Sequence, residues 1–282
     1  MPKAVPPATF RNKQLNTVRI VIWEIVIFFV ISILLSMVGM GGGVFYVPMF
    51  LFFGYDFHSA STISLFLITI TGFSASIRFR KAKMVDWQLA LVLETFTDLG
   101  AFAGGFTSLY FHTSVLKILL GILLIIAAGF TYKSGNKKKS NSGVKHGFGY
   151  WNRNFNGYSY SLPLFAIIPV TFLIGYLSGL LGIAGGVFKI PIMILWFGIP
   201  TKIAIATSAL MVGLTGLVGL GGHLFHTPLD INTAIILGIV VFTGGQIGSR
   251  ISVKLPEKTV KGTLTVILTL IGLFMIIKST GF

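Results

Sequence analysis

Apolar residues run along this chain in long unbroken blocks instead of alternating with polar ones. The blocks are 20–38, 59–77, 87–110, 114–132, 162–181, 203–222, 231–249 and 260–277. At 1.5 Å per residue each is long enough, as a helix, to cross a hydrocarbon core of about 30 Å. Two shorter runs, 44–53 and 187–198, follow glycine clusters and read as half-helices that cannot span alone. The pattern predicts an all-α polytopic membrane protein with eight to ten transmembrane segments.

The chain also repeats itself. Adding 143 to each position carries Gly39-Met40-Gly41-Gly42-Gly43-Val44-Phe45-Tyr46-Val47-Pro48 onto Gly182-Ile183-Ala184-Gly185-Gly186-Val187-Phe188-Lys189-Ile190-Pro191, with six identities in ten. One residue later a shift of 144 aligns Ala60 with Ala204, Ser64 with Ser208, Gly72 with Gly216, Asp86 with Asp230 and Gly100 with Gly244. Such self-similarity is the mark of a duplicated unit. It divides the chain into an N-terminal tail (1–19), a first transmembrane repeat (20–133), a basic flexible loop (134–160) and a second repeat (161–278). Counting loop cations does not choose between parallel and inverted copies. The run from Ile20 to Phe53 is too long for one broken crossing, which favours inverted copies, a common transporter plan.

Composition agrees. Hydrophobic residues make up 54% and charged residues 10%, against about 25% charged in soluble domains. The net charge of +15 does not indicate nucleic acid, because the cations cluster between apolar runs, as in cytoplasmic loops. The first block exceeds a signal-peptide core and has no small-residue cleavage pattern after it, so it reads as a retained span. The expected location is the cell membrane, with lipid as a partner. The absence of cysteine rules out thiolate metal sites and any relay of substrate between sulfurs.

The glycine clusters carry the strongest local signal. Gly41, Gly42 and Gly43, and Gly185 and Gly186, interrupt helices where a bilayer tolerates broken backbone only beside protein or a wet cavity. The half-helices that follow would present open N–H groups and a positive dipole end to an anion. The alternative is that these glycines merely allow close helix packing.

These paired stretches, with Ala206-Thr207-Ser208-Ala209 and Gly244-Gly245-Gln246-Ile247-Gly248-Ser249-Arg250, resemble the sulfite exporter TauE/SafE family of membrane permeases over residues 20 to 278. The resemblance implies a transporter of small sulfur-containing anions such as sulfite, sulfoacetate or other organosulfonates. Within that expectation Thr62, Ser64, Thr207 and Ser208 are candidate hydroxyl donors to oxyanion oxygens, or else bond back to their own helices. Gln246 and Arg250 share a helix face; Arg250 could grip a sulfonate or simply mark the end of its span. Lys189 replaces Tyr46 of the first copy and is either a substrate contact or a snorkelled surface residue.

Glu94 and Asp98, four apart on one helix, are candidates for proton coupling, with ion pairing to Arg250 or Lys117 as the alternative. Glu24 could face a second protomer in a homo-oligomer. His223 and His226 lack a third ligand nearby, so no metal is expected. No Walker loop, dinucleotide fingerprint or catalytic constellation appears, so neither enzyme activity nor a cofactor is expected. The reading is a secondary transporter working by alternating access around a site between the repeats, with a passive anion channel or a non-transporting scaffold as alternatives.

Overall fold

The computed structural model describes residues 7–134, 148–183 and 185–254, together with Thr269, Leu273 and Ile277. Nine α-helices are described: α1 (Pro7–Met37), α2 (Gly43–Phe52), α3 (Phe57–Lys81), α4 (Trp87–Thr107), α5 (Thr113–Ser134), α6 (Leu164–Leu181), α7 (Gly186–Leu195), α8 (Thr201–Leu224) and α9 (Ile231–Lys254). Among the described residues five stretches are long and apolar enough to cross a membrane: α3, α4 with the short turn after it, α6, α8 and α9. The blocks at 20–38 and 114–132 fall on α1 and α5; the block at 260–277 lies almost wholly outside the described residues. α1 begins at Pro7, inside the stretch read as a tail. Proline is tolerated at the first helical position because its missing N–H has no partner there in any helix.

Local chemistry sets the boundaries. Asp56 caps α3 by accepting the N–H groups of His58 and Ser59, each at 3.0 Å. Asp86 caps α4 through the Leu89 N–H. α1 and α6 end alike: Gly39 and Gly182 take positive φ (72° and 71°), and the residues after them donate back to Leu35 and Ser178. Five residues (38–42) separate α1 from the ten-residue α2, and four (182–185) separate α6 from the ten-residue α7.

The halves interlock. α3 and α8 cross at the centre, with Gly72 set against the backbone of Gly213. α4 packs on α6, and in the corresponding pair α9 packs on α1. The α4–α6 contact is glycine against backbone. A Cβ on Gly100 would meet the Phe172 carbonyl at 2.2 Å, and one on Gly104 the Tyr176 carbonyl at 2.0 Å. On α9, Gly244 faces the Ser32 hydroxyl of α1, and Gly248 faces the Ile33 carbonyl and the Ser36 hydroxyl. In lipid, where apolar side chains gain little by associating, this close approach of backbones holds helices together.

The stretch read as a basic flexible loop (134–160) contains ordered structure at its end, which corrects that expectation. Strand β1 (Tyr150–Phe155) pairs antiparallel with β2 (Tyr158–Pro163). The connecting Asn156-Gly157 has positive φ at both residues (50° and 76°), the requirement of a two-residue hairpin turn. Tyr160 and Leu162 are fully buried against the helices. Arg153 forks onto Asp86, with Nη2 at 2.9 Å from Oδ1 and Nε at 3.0 Å from Oδ2, and the Tyr160 hydroxyl donates to Oδ2. The Asp86 N–H donates to Thr207 Oγ1 at 3.1 Å. One residue therefore ties the hairpin and α4 together through its carboxylate and reaches α8 through its backbone N–H.

Burial alone pushes the Asp86 carboxyl up, but the hydrogen bonds from Arg153 and Tyr160 outweigh it and hold the group below the ordinary aspartate value. A depressed folded-state value means the stabilisation is complete above the unfolded aspartate value, about 3.9, and is lost as pH falls through the folded one. Two outcomes follow. Gly104→Ala should cost about 1–3 kcal/mol by overpacking, whereas Gly221→Ala on α8, with nothing within 4 Å of the added carbon, should be neutral or stabilising; melting temperatures in detergent compare them. Arg153→Met should cost about 3 kcal/mol by stranding the Asp86 charge. That deficit should stay constant from pH 5 to 8 and shrink only in stronger acid, as read from melting curves across pH.

Candidate transport site

The two glycine turns meet at the middle of the molecule. A Cβ on Gly43 would lie 2.6 Å from the Ile183 carbonyl oxygen, and one on Gly186 3.1 Å from Met40 Cα. Gly41, Gly42 and Gly185 have positive φ (67°, 96° and 67°), so glycine is required there by conformation as well as space. The first N–H groups of α2 and α7 have no acceptor within their own helices. Close packing of the turns is thus a fact of the geometry, and it places both helix starts side by side.

The serines predicted as oxyanion donors hold this arrangement. Ser64 Oγ donates to the Gly182 carbonyl at 2.9 Å, and Ser208 Oγ to the Gly39 carbonyl at 3.0 Å. Each hydroxyl thereby satisfies the carbonyl freed by the other half's broken helix. Thr62 bonds back to the His58 carbonyl, and Thr207 accepts from Asp86. Gln246 Nε2 donates to the Ser74 carbonyl at 2.5 Å and joins α9 to α3. Arg250 is exposed in the last turns of α9. In this arrangement the structure does not bring Gln246 or Arg250 into the cluster of charges below.

That cluster sits on α7. Lys189, buried in the first turn, donates from Nζ to Glu94 Oε1 at 2.7 Å and to Thr215 Oγ1 at 2.6 Å. Thr215 Oγ1 lies 2.9 Å from Glu94 Oε2 and 3.0 Å from the Met211 carbonyl. Three helices, α4, α7 and α8, thus each contribute one corner of a closed triad. A cation in the first turn opposes the dipole of α7, so the Glu94 carboxylate compensates both the ammonium charge and the helix end. Asp98, one turn along α4, lies within electrostatic reach of Lys189, and its Oδ1 is buried without a hydrogen-bond partner among the described residues. The partner of Glu94 is therefore Lys189, not Arg250 or Lys117.

The corresponding place in the first half is neutral. Tyr46 stands where Lys189 does, and its hydroxyl bonds to Thr71 Oγ1 at 3.0 Å. Thr71 is the counterpart of Thr215 at a shift of 144, a signal present in the sequence but passed over because threonine is common in apolar helices. The counterparts of Glu94 and Asp98 are Gly238 and Phe242. His223 is buried at the far end of α8 and bonds to the Gly179 carbonyl at 2.8 Å, a structural role. Among the described residues no three metal-ligating side chains gather.

Broken helices meeting inside a bundle, with a buried charge cluster beside them, define a multi-pass membrane protein of the transporter class. The sulfite exporter TauE/SafE family model matches residues 25–275, and the chain belongs to that family. It is 28% identical over 248 residues to a probable membrane transporter protein, YunE, of Bacillus subtilis, covering 84% of this chain and 90% of the relative. A probable membrane transporter protein of Methanocaldococcus jannaschii is 28% identical over 270 residues, covering 90% and 94%. The MamO protein of Paramagnetospirillum magneticum, also named a probable membrane transporter, is 25% identical over 283 residues, covering 86% of this chain and 42% of the relative. No solved structure is significantly similar to the chain.

Proposed function

We propose that this protein is a secondary transporter of small sulfur-containing anions, sulfite, sulfoacetate or other organosulfonates, acting by alternating access between two inverted halves. The observation that carries the reading is the buried Lys189 beside the meeting point of α2 and α7. A cation held inside a membrane is costly and marks a site of function. At that point the ammonium group and two helix N-termini act in the same sense, toward a negative charge. Glu94 occupies the place an oxyanion would take. The family's description points to sulfite, and sulfonates share its pyramidal, charge-delocalised oxygens. Glu94 and Asp98 are the groups through which proton movement would couple to the anion. Gln246, bonded to the Ser74 carbonyl, ties α9 to α3 at the periphery of that site.

The test must separate transport from folding, because removing Lys189 alone leaves Glu94 buried without a cation, at a cost of about 3–5 kcal/mol. The double variant Lys189→Met with Glu94→Gln removes both charges and keeps the volume. It should melt within a few degrees of wild type yet take up no labelled sulfite or sulfoacetate in proteoliposomes. Uptake by the double variant at the wild-type rate would refute a site at Lys189.

A further inference from the structure

We propose that Lys189 exchanges partners during transport: the anion displaces Glu94 from the ammonium group, and Glu94 takes up one proton from the aqueous side as it leaves, so that anion and proton enter together. The proposal rests on the transporter reading above and adds its coupling.

The geometry argues for it in three steps. Lys189 and Glu94 form a neutral pair, so an anion added to the site brings one uncompensated charge into the bilayer. An anion that takes over the ammonium group leaves the Glu94 carboxylate buried and unpaired, with Asp98 one turn away as a second carboxylate rather than a cation. Protonating Glu94 removes that charge. For a singly charged anion, and with Asp98 unchanged throughout, the bookkeeping closes at the pair: before binding, one ammonium and one carboxylate; afterwards, one ammonium, one substrate charge and one neutral carboxylic acid.

Thr215 makes the exchange mechanically simple. Its oxygen accepts from Lys189 Nζ, while its single proton has two acceptors at nearly equal distance, Glu94 Oε2 at 2.9 Å and the Met211 carbonyl at 3.0 Å. When Glu94 departs, the hydroxyl turns to Met211 and leaves no buried donor unpaired. Lys189 keeps one fixed partner throughout. In the first half Thr71 is likewise bonded to the Leu67 carbonyl and to Tyr46, but the carboxylates are missing. The exchange is therefore confined to one of the two halves.

The other titratable side chains on elements packed against α4 and α7 do not supply the proton site. Tyr176 on α6 bonds to Thr107, His223 on α8 bonds to Gly179, Lys202 on α8 is exposed, and Lys117 on α5 is a half-buried cation.

Calorimetry on the purified protein in detergent tests this with methanesulfonate, a single-charge organosulfonate whose ionisation does not change between pH 6 and 8. Titrations in two buffers of different ionisation enthalpy give the protons bound per anion. Wild type should take up about one proton, with affinity falling about tenfold per pH unit between the value at which Glu94 titrates in the free protein and the higher value at which it titrates in the complex. Glu94→Gln should bind with no proton uptake and a flat pH dependence. Binding by wild type without proton uptake, or unchanged uptake in Glu94→Gln, overturns the exchange while leaving the transporter reading in place. No heat and no melting shift with methanesulfonate, sulfoacetate, sulfite or taurine overturns that reading and the exchange with it.

Discussion

A helix broken inside a bilayer leaves carbonyl and N–H groups with no water to satisfy them, and the rest of this structure answers that constraint. Ser64 and Ser208 each reach across to the glycine turn of the other half and take its exposed carbonyl. The bond is reciprocal, so neither half is satisfied alone. Each broken helix is completed by a residue on the central helix of the opposite half, α3 for the second turn and α8 for the first. That reciprocity explains why α3 and α8 lie innermost and why the glycines of the turns tolerate no side chain. It also means that relative motion of the halves must either carry these bonds along or break them in pairs.

On this nearly symmetric frame the charges are distributed unevenly. Three positions separate a neutral site from an ionic one: Tyr46 against Lys189, Gly238 against Glu94 and Phe242 against Asp98, with the threonines Thr71 and Thr215 common to both. A tyrosine hydroxyl donating to a threonine needs no counterion, so the first half can hold its half-helix as fixed structure. The second half holds a cation whose neutralisation depends on a partner from α4. The hairpin adds another asymmetry, since Asp86 is clamped by Arg153 and Tyr160 while, among the described residues, its counterpart Asp230 bonds only to Thr233 in the first turn of α9.

Much of this was legible in the sequence, for physical reasons that differ by feature. Helix positions followed from apolar block length, because a bilayer imposes its thickness on every span. The glycine turns followed from composition and recurrence, since few other residues adopt positive φ. The membership of Glu94 and Lys189 in one site was half visible: each was conspicuous as a charge in an apolar run, but they are 95 positions apart and nothing in a linear reading pairs them. The roles of Ser64 and Ser208 were hidden more deeply, because a hydroxyl about two turns into a helix has the same local sequence whether it faces a ligand, its own helix or another chain segment. The hairpin was missed although Asn156-Gly157 is a strong turn signal, because polar, aromatic-rich loops between spans are usually judged by what they lack. Tyr160 and Leu162 find their burial against helices far away in sequence.

The Lys189–Glu94 pair is the feature that packing does not require. A buried ion pair is seldom the cheapest way to fill a core: desolvating both groups costs about as much as their attraction returns, and well-packed apolar residues of equal volume are often as stable or better. The first half demonstrates the cheaper solution within the same molecule, setting Tyr46 against Thr71 and carrying no charge at Gly238 or at the exposed Phe242. If the second half needed only to hold α7 in place, the same residues would serve. What the ionic version has and the neutral one lacks is a cation whose partner can be replaced by another anion at little net cost, because one charge pair is traded for another of the same kind. The protein accepts the desolvation of two charges at the one point where broken helices already converge, and that is where the anion of the proposed function would gain most from them.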